Sequence, residues 1–154
     1  MSSLAAVYDF LEQKRIAVVG VSHDPKGFSR TLLRTMQERG YEVVAVNPTL
    51  QSVDGVPCYG QLSDVAPPVD GVLLMTSPAV TDQVVEECAA LHIPRVWMYR
   101  AGGQGAVSPQ AVKFCEKHGI KVVPGECPFM FLGGEHWVHR LHGFFKKITG
   151  TYPN

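Results

Sequence analysis

Arg15-Ile16-Ala17-Val18-Val19-Gly20-Val21-Ser22 is an apolar run that breaks at a glycine and passes into small polar residues. A helix-like segment follows through His23-Asp24-Pro25-Lys26-Gly27-Phe28-Ser29-Arg30, and then Tyr41-Glu42-Val43-Val44-Ala45-Val46-Asn47-Pro48. A buried strand that stops at Gly20, turns and opens a helix aims backbone N–H groups and the positive end of a helix dipole at one point. That point suits a phosphate.

The rest of the chain repeats this alternation. Short, Val-rich, continuously apolar segments at 15–20, 41–47, 70–75, 95–99 and 120–124 read as strands covered on both faces. Helices are expected at 3–14, 29–38, 78–91 and 109–118. Ser2 or Ser3 is available to cap the first, Ser77-Pro78 and Ser108-Pro109 each supply an N-cap and a proline at the first turn, and Gly40 and Gly119 sit at C-terminal stops. Residues 51–68 carry turn residues around Gly55-Val56-Pro57-Cys58-Tyr59-Gly60 and no useful helical stripe, so a short extra strand or a loop is expected there.

After a loop at 125–134, residues 135–149 read as an amphipathic helix with Trp137, Leu141, Phe144, Phe145 and Ile148 on one stripe and Lys146 and Lys147 near its end. It is expected to pack on the sheet or on a sister subunit, which would make a homodimer, rather than on a membrane. The whole implies one α/β domain over 1–154, a Rossmann-like, doubly wound, mainly parallel sheet of about five strands with flanking helices.

Composition narrows the function classes. Lys+Arg and Asp+Glu both number 14, so no overall field draws nucleic acid or an anionic membrane, and an anion site must be local. No apolar run approaches the roughly 18 residues of a membrane span. Cys58, Cys88, Cys115 and Cys127 are too widely spaced for a CxxC motif, and the N-terminus lacks the pattern of a secretory signal. A cytoplasmic protein with reduced thiols is expected.

Ligands of open parallel sheets bind beyond the carboxyl ends of the strands. The loops expected at that edge are 21–28, 48–51, 76–77, 100–107 and 125–129. The first is not the GxGxxG fingerprint, because Gly20 is followed by Val21-Ser22-His23-Asp24-Pro25, and the second strand ends in Asn47 where an acid would hold a ribose diol. No GxxxxGK[ST] is present either. Lys26 and Arg30 are cations at a helix start, each costing about 0.3–1 kcal/mol against the dipole unless an anion reverses the sign. They either serve a phosphate or are solvated near Asp24. Ser22 and Ser29 either hydrogen-bond a phosphate or cap the helix.

At this point the chain resembles the bacterial CoA-binding domain family, small stand-alone relatives of the nucleotide-binding domain in the succinyl-CoA synthetase alpha subunit. The resemblance lies in Ile16 to Ser22, Ser29, Gly40 to Pro48, Val69-Asp70-Gly71-Val72, Val96-Trp97-Met98, and Gly119 to Val123 with Cys127. It implies a sheet that binds coenzyme A or an acyl-CoA, with the ADP part over Gly20, Val21, Ser22, Lys26, Ser29 and Arg30 and near Asn47, Pro48, Thr76 and Ser77. The pyrophosphate suits the helix start, and the ribose phosphate suits a cation such as Lys26 or Arg30. Thr76-Ser77-Pro78 and loop 100–107 could line the pantetheine arm. That loop, Tyr99-Arg100-Ala101-Gly102-Gly103-Gln104-Gly105, departs from many relatives, and the aromatic segment 135–149 extends beyond the usual small domain.

Candidates for catalysis are poor. The synthetase relative uses a phosphorylated histidine in a separate domain. His23 could donate to a phosphate or face solvent, and His118 fits a helix C-terminus. His136, His139 and His142 turn around the helix axis, and a metal site would need a further group such as Glu135 or a partner chain. Cys127 could exchange with the coenzyme A thiol or be an ordinary half-buried cysteine. The expectation is therefore a non-enzymatic coenzyme A binding protein. The alternatives are an NAD(P)-type nucleotide-dependent enzyme and an interaction module with a decayed nucleotide site.

Overall fold

The computed structural model describes residues 4–50, 52–100 and 103–132. The expected helix at 135–149, its proposed dimer contact and the three histidines on it lie outside the described residues.

Strand β1 (Arg15–Val19) occupies the centre of the sheet, with Ile16, Ala17 and Val18 completely buried. Its apolar residues point to both faces because helices cover both. It pairs in parallel with β2 (Glu42–Val46) on one side and with β5 (Gly71–Leu74) on the other. β6 (Arg95–Tyr99) and β7 (Lys121–Glu126) extend the β5 side.

The sheet has seven strands, in the order β3-β4-β2-β1-β5-β6-β7, rather than about five. The two additional strands, β3 (Ser52–Val53) and β4 (Val56–Tyr59), form a hairpin within the segment read as an extra strand or loop. Asp54 and Gly55 turn it with φ of 50° and 77°, the double positive φ that a two-residue hairpin turn requires. β4 runs parallel to β2, while β3 is antiparallel to β4.

Helices α1 (Leu4–Leu11) and α2 (Phe28–Glu38) cover one face, where Phe10, Leu11, Leu32, Leu33 and Met36 form a core with Trp97. Helices α3 (Pro78–Ala90) and α4 (Pro109–Lys117) cover the other, around Val85, Cys88, Ala111 and Cys115. α1 is shorter than expected, and Gln13 Nε2 donates to the Asp9 carbonyl where the helix gives way. Its Phe10 ring lies against Trp97 at 5.3 Å and fills the space a Cβ on Gly71 would need. Ser77 and Ser108 cap α3 and α4 as their sequence implies, each with proline in the first turn. The segment expected to be only a loop after the last strand holds a short helix, α5 (Phe129–Leu132). No helix of the described residues is long and apolar enough to cross a membrane.

The chain leaves β1 for α2 on one face and leaves β5 for α3 on the other. The carboxyl ends of these neighbouring strands therefore bound the crevice where strand order reverses.

Candidate functional site

Gly20 ends β1 at φ +94°, outside the range open to a residue with a side chain. A Cβ there would stand 2.8 Å from the Met75 carbonyl carbon and 3.2 Å from Thr76 Cγ2, so glycine lets the ends of β1 and β5 meet. Val21 turns its side chain into the core, and its carbonyl accepts from Asn47 Nδ2 at 2.8 Å. Its share in any site is therefore made by backbone.

The following loop is tied to itself. Ser22 N–H donates to Ser29 Oγ at 2.8 Å, Asp24 N–H to Ser22 Oγ at 3.0 Å, and Lys26 N–H to Asp24 Oδ1 at 2.9 Å. Gly27, with extended dihedrals and no side-chain cap, is the N-cap of α2. Neither Ser22 nor Ser29 caps the helix. Arg30 and Thr31 N–H bond to the Gly27 carbonyl, while the Phe28 and Ser29 N–H groups have no intrahelical acceptor. Ser22 and Ser29 use their oxygens as acceptors, and each hydroxyl proton has no acceptor among the described residues. The Ser22 side chain lies against Gly27, so two amides and two hydroxyl protons are left at the start of α2 without a partner among the described residues.

The two cations fall into different roles. Arg30 is buried, and its fork is committed: Nε and Nη2 donate to Asp54 at 2.9 and 3.3 Å, and Nη1 to the Ser22 carbonyl at 3.1 Å. Arg34 joins the same carboxylate at 3.2 Å and the Pro25 carbonyl at 3.3 Å. Hydrogen bonds from Arg30, followed by the charges of Arg30 and Arg34, hold the Asp54 carboxyl below the usual carboxylate range against the opposing effect of burial. Arg30 therefore braces the loop from beneath rather than standing open to a ligand. Lys26 is exposed, and its ammonium has no carboxylate partner among the described residues.

Across the crevice, Thr81 Oγ1 donates to the Ala106 carbonyl at 2.8 Å and lies 2.7 Å from Thr76 Oγ1. The proton between the two hydroxyls must come from Thr76, leaving Thr76 only lone pairs to offer. Ser77 Oγ accepts the Val80 N–H at 3.4 Å as the α3 cap. Thr76 is therefore not placed as a free donor, whereas the Ser77 hydroxyl proton, like those of Ser22 and Ser29, has no acceptor among the described residues. Pro48 is exposed at the end of β2, next to Asn47, whose Oδ1 accepts from Thr49 N–H at 2.8 Å.

Several residues of this edge escaped sequence reading. Phe28, 40% exposed, packs on Tyr99 and Phe129 at 5.3 and 5.1 Å, joining the first loop to the ends of β6 and β7. Burial, and secondarily Cys127, pushes the Tyr99 phenol up. Arg100 lies across Gly125, where a Cβ would stand 2.8 Å from its Nε. Trp97, by contrast, is a core residue, its Nε1 donating to the Glu126 carbonyl at 3.0 Å. Asp54 could be read as a turn residue from Asp54-Gly55, but its pairing with Arg30 depends on the fold.

The chain is similar to known proteins in sequence and in fold. The uncharacterized protein YneT of Bacillus subtilis (strain 168) is 32% identical over 126 residues, covering 81% of this chain and 90% of that protein. The acetate–CoA ligase [ADP-forming] I of Archaeoglobus fulgidus is 25% identical over 120 residues, 74% of this chain but 18% of the ligase. A hypothetical protein from Pyrococcus horikoshii OT3 superposes with a TM-score of 0.76 at 26% identity, covering 86% of this chain and 93% of that one. Residues 14–132 match the CoA binding domain, and with the glycine turn, open helix start and seven-stranded sheet in place, the chain belongs to the CoA-binding domain family.

Proposed function

We propose that this protein binds coenzyme A or an acyl-CoA at the carboxyl edge of the sheet and holds it without chemical change. The observation that carries the reading is the start of α2, where the Phe28 and Ser29 amides have no intrahelical acceptor and Ser22, packed against Gly27, and Ser29 each keep a hydroxyl proton with no acceptor among the described residues. Such donors, at the positive end of an eleven-residue helix, suit a pyrophosphate. Lys26 is the cation free to join them. Asn47-Pro48 and the Thr76-Ser77 corner flank the place for the rest of the nucleotide, and the Phe28, Tyr99 and Phe129 rings offer an apolar wall to the arm.

A holding role accords with the hydrogen bonding at this edge. The imidazole of His23 meets Thr49, whose own proton goes to the Asn47 amide, so the pair is not set up as base and nucleophile. The Archaeoglobus ligase is more than five times the length of the matched segment, and a ligase reaction is not carried over to this chain.

Calorimetric titration tests the reading. Coenzyme A should bind at sub-millimolar concentration, and Gly20→Val should abolish the heat. A thermal-shift panel of NAD, NADP, ATP and coenzyme A should raise the melting temperature most with coenzyme A, because a ligand of the native state stabilises it by mass action. No heat with coenzyme A, or a larger shift with NAD or NADP, would overturn it.

A further inference from the structure

His23 Nε2 lies 2.5 Å from Thr49 Oγ1, joining the loop after β1 to the loop after β2. The protons around Thr49 can be counted. Asn47 Nδ2 donates to the Val21 carbonyl, and Asn47 Oδ1 accepts from Thr49 N–H, both at 2.8 Å. Reversing the amide would set donor against donor and acceptor against acceptor, so its orientation is settled. Thr49 Oγ1 donates to that same Oδ1 at 2.9 Å. A hydroxyl has one proton, and this one is spent. Thr49 therefore accepts from His23, Nε2 carries the hydrogen, and Nδ1 is the one polar atom of the ring left for a ligand.

We propose that His23, oriented by Thr49, recognises a phosphate monoester on the ribose of the ligand and so separates coenzyme A from its dephospho form. The proposal rests on the coenzyme A reading above. In parallel α/β sheets the loop after the first strand takes the pyrophosphate and the end of the second meets the adenosine ribose. A side chain that bridges those two loops stands between the two groups. The end of β2 carries Asn47 instead of an acid, so no carboxylate there repels a ribose phosphate. Arg30, the strongest cation nearby, is spent on Asp54.

The ring's surroundings agree with that role. Its own loop contributes Asp24, which accepts the Lys26 N–H, and Lys26 itself, while Arg30 Nη1 reaches the His23 carbonyl at 3.5 Å. The facing loop contributes Pro48, Thr49 and Leu50, none of them charged. With a phosphate oxygen at Nδ1 the ring donates from both nitrogens and carries a positive charge.

The test is calorimetric titration of coenzyme A and dephospho-coenzyme A into wild type, His23→Gln and Thr49→Val at pH 6.5. Wild type should prefer coenzyme A by about tenfold or more, the scale of one charge-assisted hydrogen bond. His23→Gln should lose most of that preference by weakening coenzyme A alone, with dephospho-coenzyme A within about twofold of wild type. Thr49→Val should reduce the preference in the same direction, by less. Equal weakening of both ligands, an unchanged preference in His23→Gln, or wild type that binds both equally overturns this proposal while leaving the coenzyme A reading intact. Wild type that binds neither overturns both.

Discussion

Arg30 and Asp54 form a two-point ion pair, Nε to Oδ2 at 2.9 Å and Nη2 to Oδ1 at 3.3 Å, that fastens the start of α2 to the β3–β4 hairpin. Because Arg30 also donates to the Ser22 carbonyl, the pair sets the shape of the glycine loop. Asp54→Asn keeps a residue that tolerates positive φ and removes the charge. It should lower stability near neutral pH by about 1–3 kcal/mol. The folded state holds the Asp54 carboxyl below its ordinary value, so its contribution is present above the unfolded carboxylate pKa and is lost as pH falls through the lower, folded one. The gap in melting temperature between wild type and Asp54→Asn should narrow as pH drops below about 4. A gap that widens in acid would contradict the pairing.

The two cations of the loop should separate in a pair of variants. Lys26→Gln should weaken coenzyme A several-fold and leave the melting temperature within about a degree, because exposed sites lacking a structural bond contribute little to stability. Arg30→Gln should lower the melting temperature by several degrees, since it leaves Asp54 with Arg34 alone and frees the Ser22 carbonyl. Melting curves recorded without ligand, beside titrations with it, give both readouts.

Gly20→Ala is expected to destabilise the fold by about 2 kcal/mol or more. The new Cβ must adopt a disfavoured φ and also press on the Met75 carbonyl. Gly40→Ala shares the unfavourable φ, yet its Cβ would meet nothing within 4 Å. The difference between the two in chemical denaturation isolates the contact between β1 and β5.

Capping serines should differ according to what else they hold. Ser108 is buried, accepts from Ala111 N–H at 3.2 Å and donates to Asp82 at 2.5 Å, linking α4 to α3. Ser108→Ala should cost about 1–2 kcal/mol. Ser77 caps α3 with one long bond of 3.4 Å, and Ser77→Ala should cost about 0.5 kcal/mol. Equal costs in urea denaturation would show that the Asp82 link adds nothing.

Thiol chemistry should follow burial. Cys88 and Cys115 are completely buried, with burial the main cause that raises the Cys88 thiol and pushes Cys115 up to about 12. Cys127 and Cys58 are half-buried, and burial raises the Cys58 thiol as well. Iodoacetamide at pH 8 should therefore mark Cys127 first, Cys58 more slowly, and the other two only after denaturation, as peptide mass spectrometry would reveal.

Much of the fold is legible in local chemistry. Continuous apolar runs such as 15–19 signal strands covered on both faces, and Ser-Pro pairs at 77–78 and 108–109 mark where α3 and α4 begin. These signals lie within a few residues of each other, so composition alone carries them. The hairpin at Ser52–Tyr59 is only half legible: its turn is written in Asp54-Gly55, but strands of two and four residues show little alternation. The short helix at Phe129–Leu132 has no periodicity that a single turn can display.

Read alone, the residues put Gly20 at the end of a buried strand, donors at the next helix start, and Asn47 where an acid would stand. What each polar group has left to give depends on contacts that only the folded chain makes. Asp54 lies 24 residues from Arg30, Thr49 lies 26 from His23, and the Thr81 to Ala106 bond spans 25, so folding pairs groups that no local spacing connects. A hydrogen-bonding atom has few partners to spend, and the fold spends the Arg30 fork and the Thr76 proton within the protein, while Lys26, the α2 amides and His23 Nδ1, the groups we propose meet a ligand, keep no such partner among the described residues.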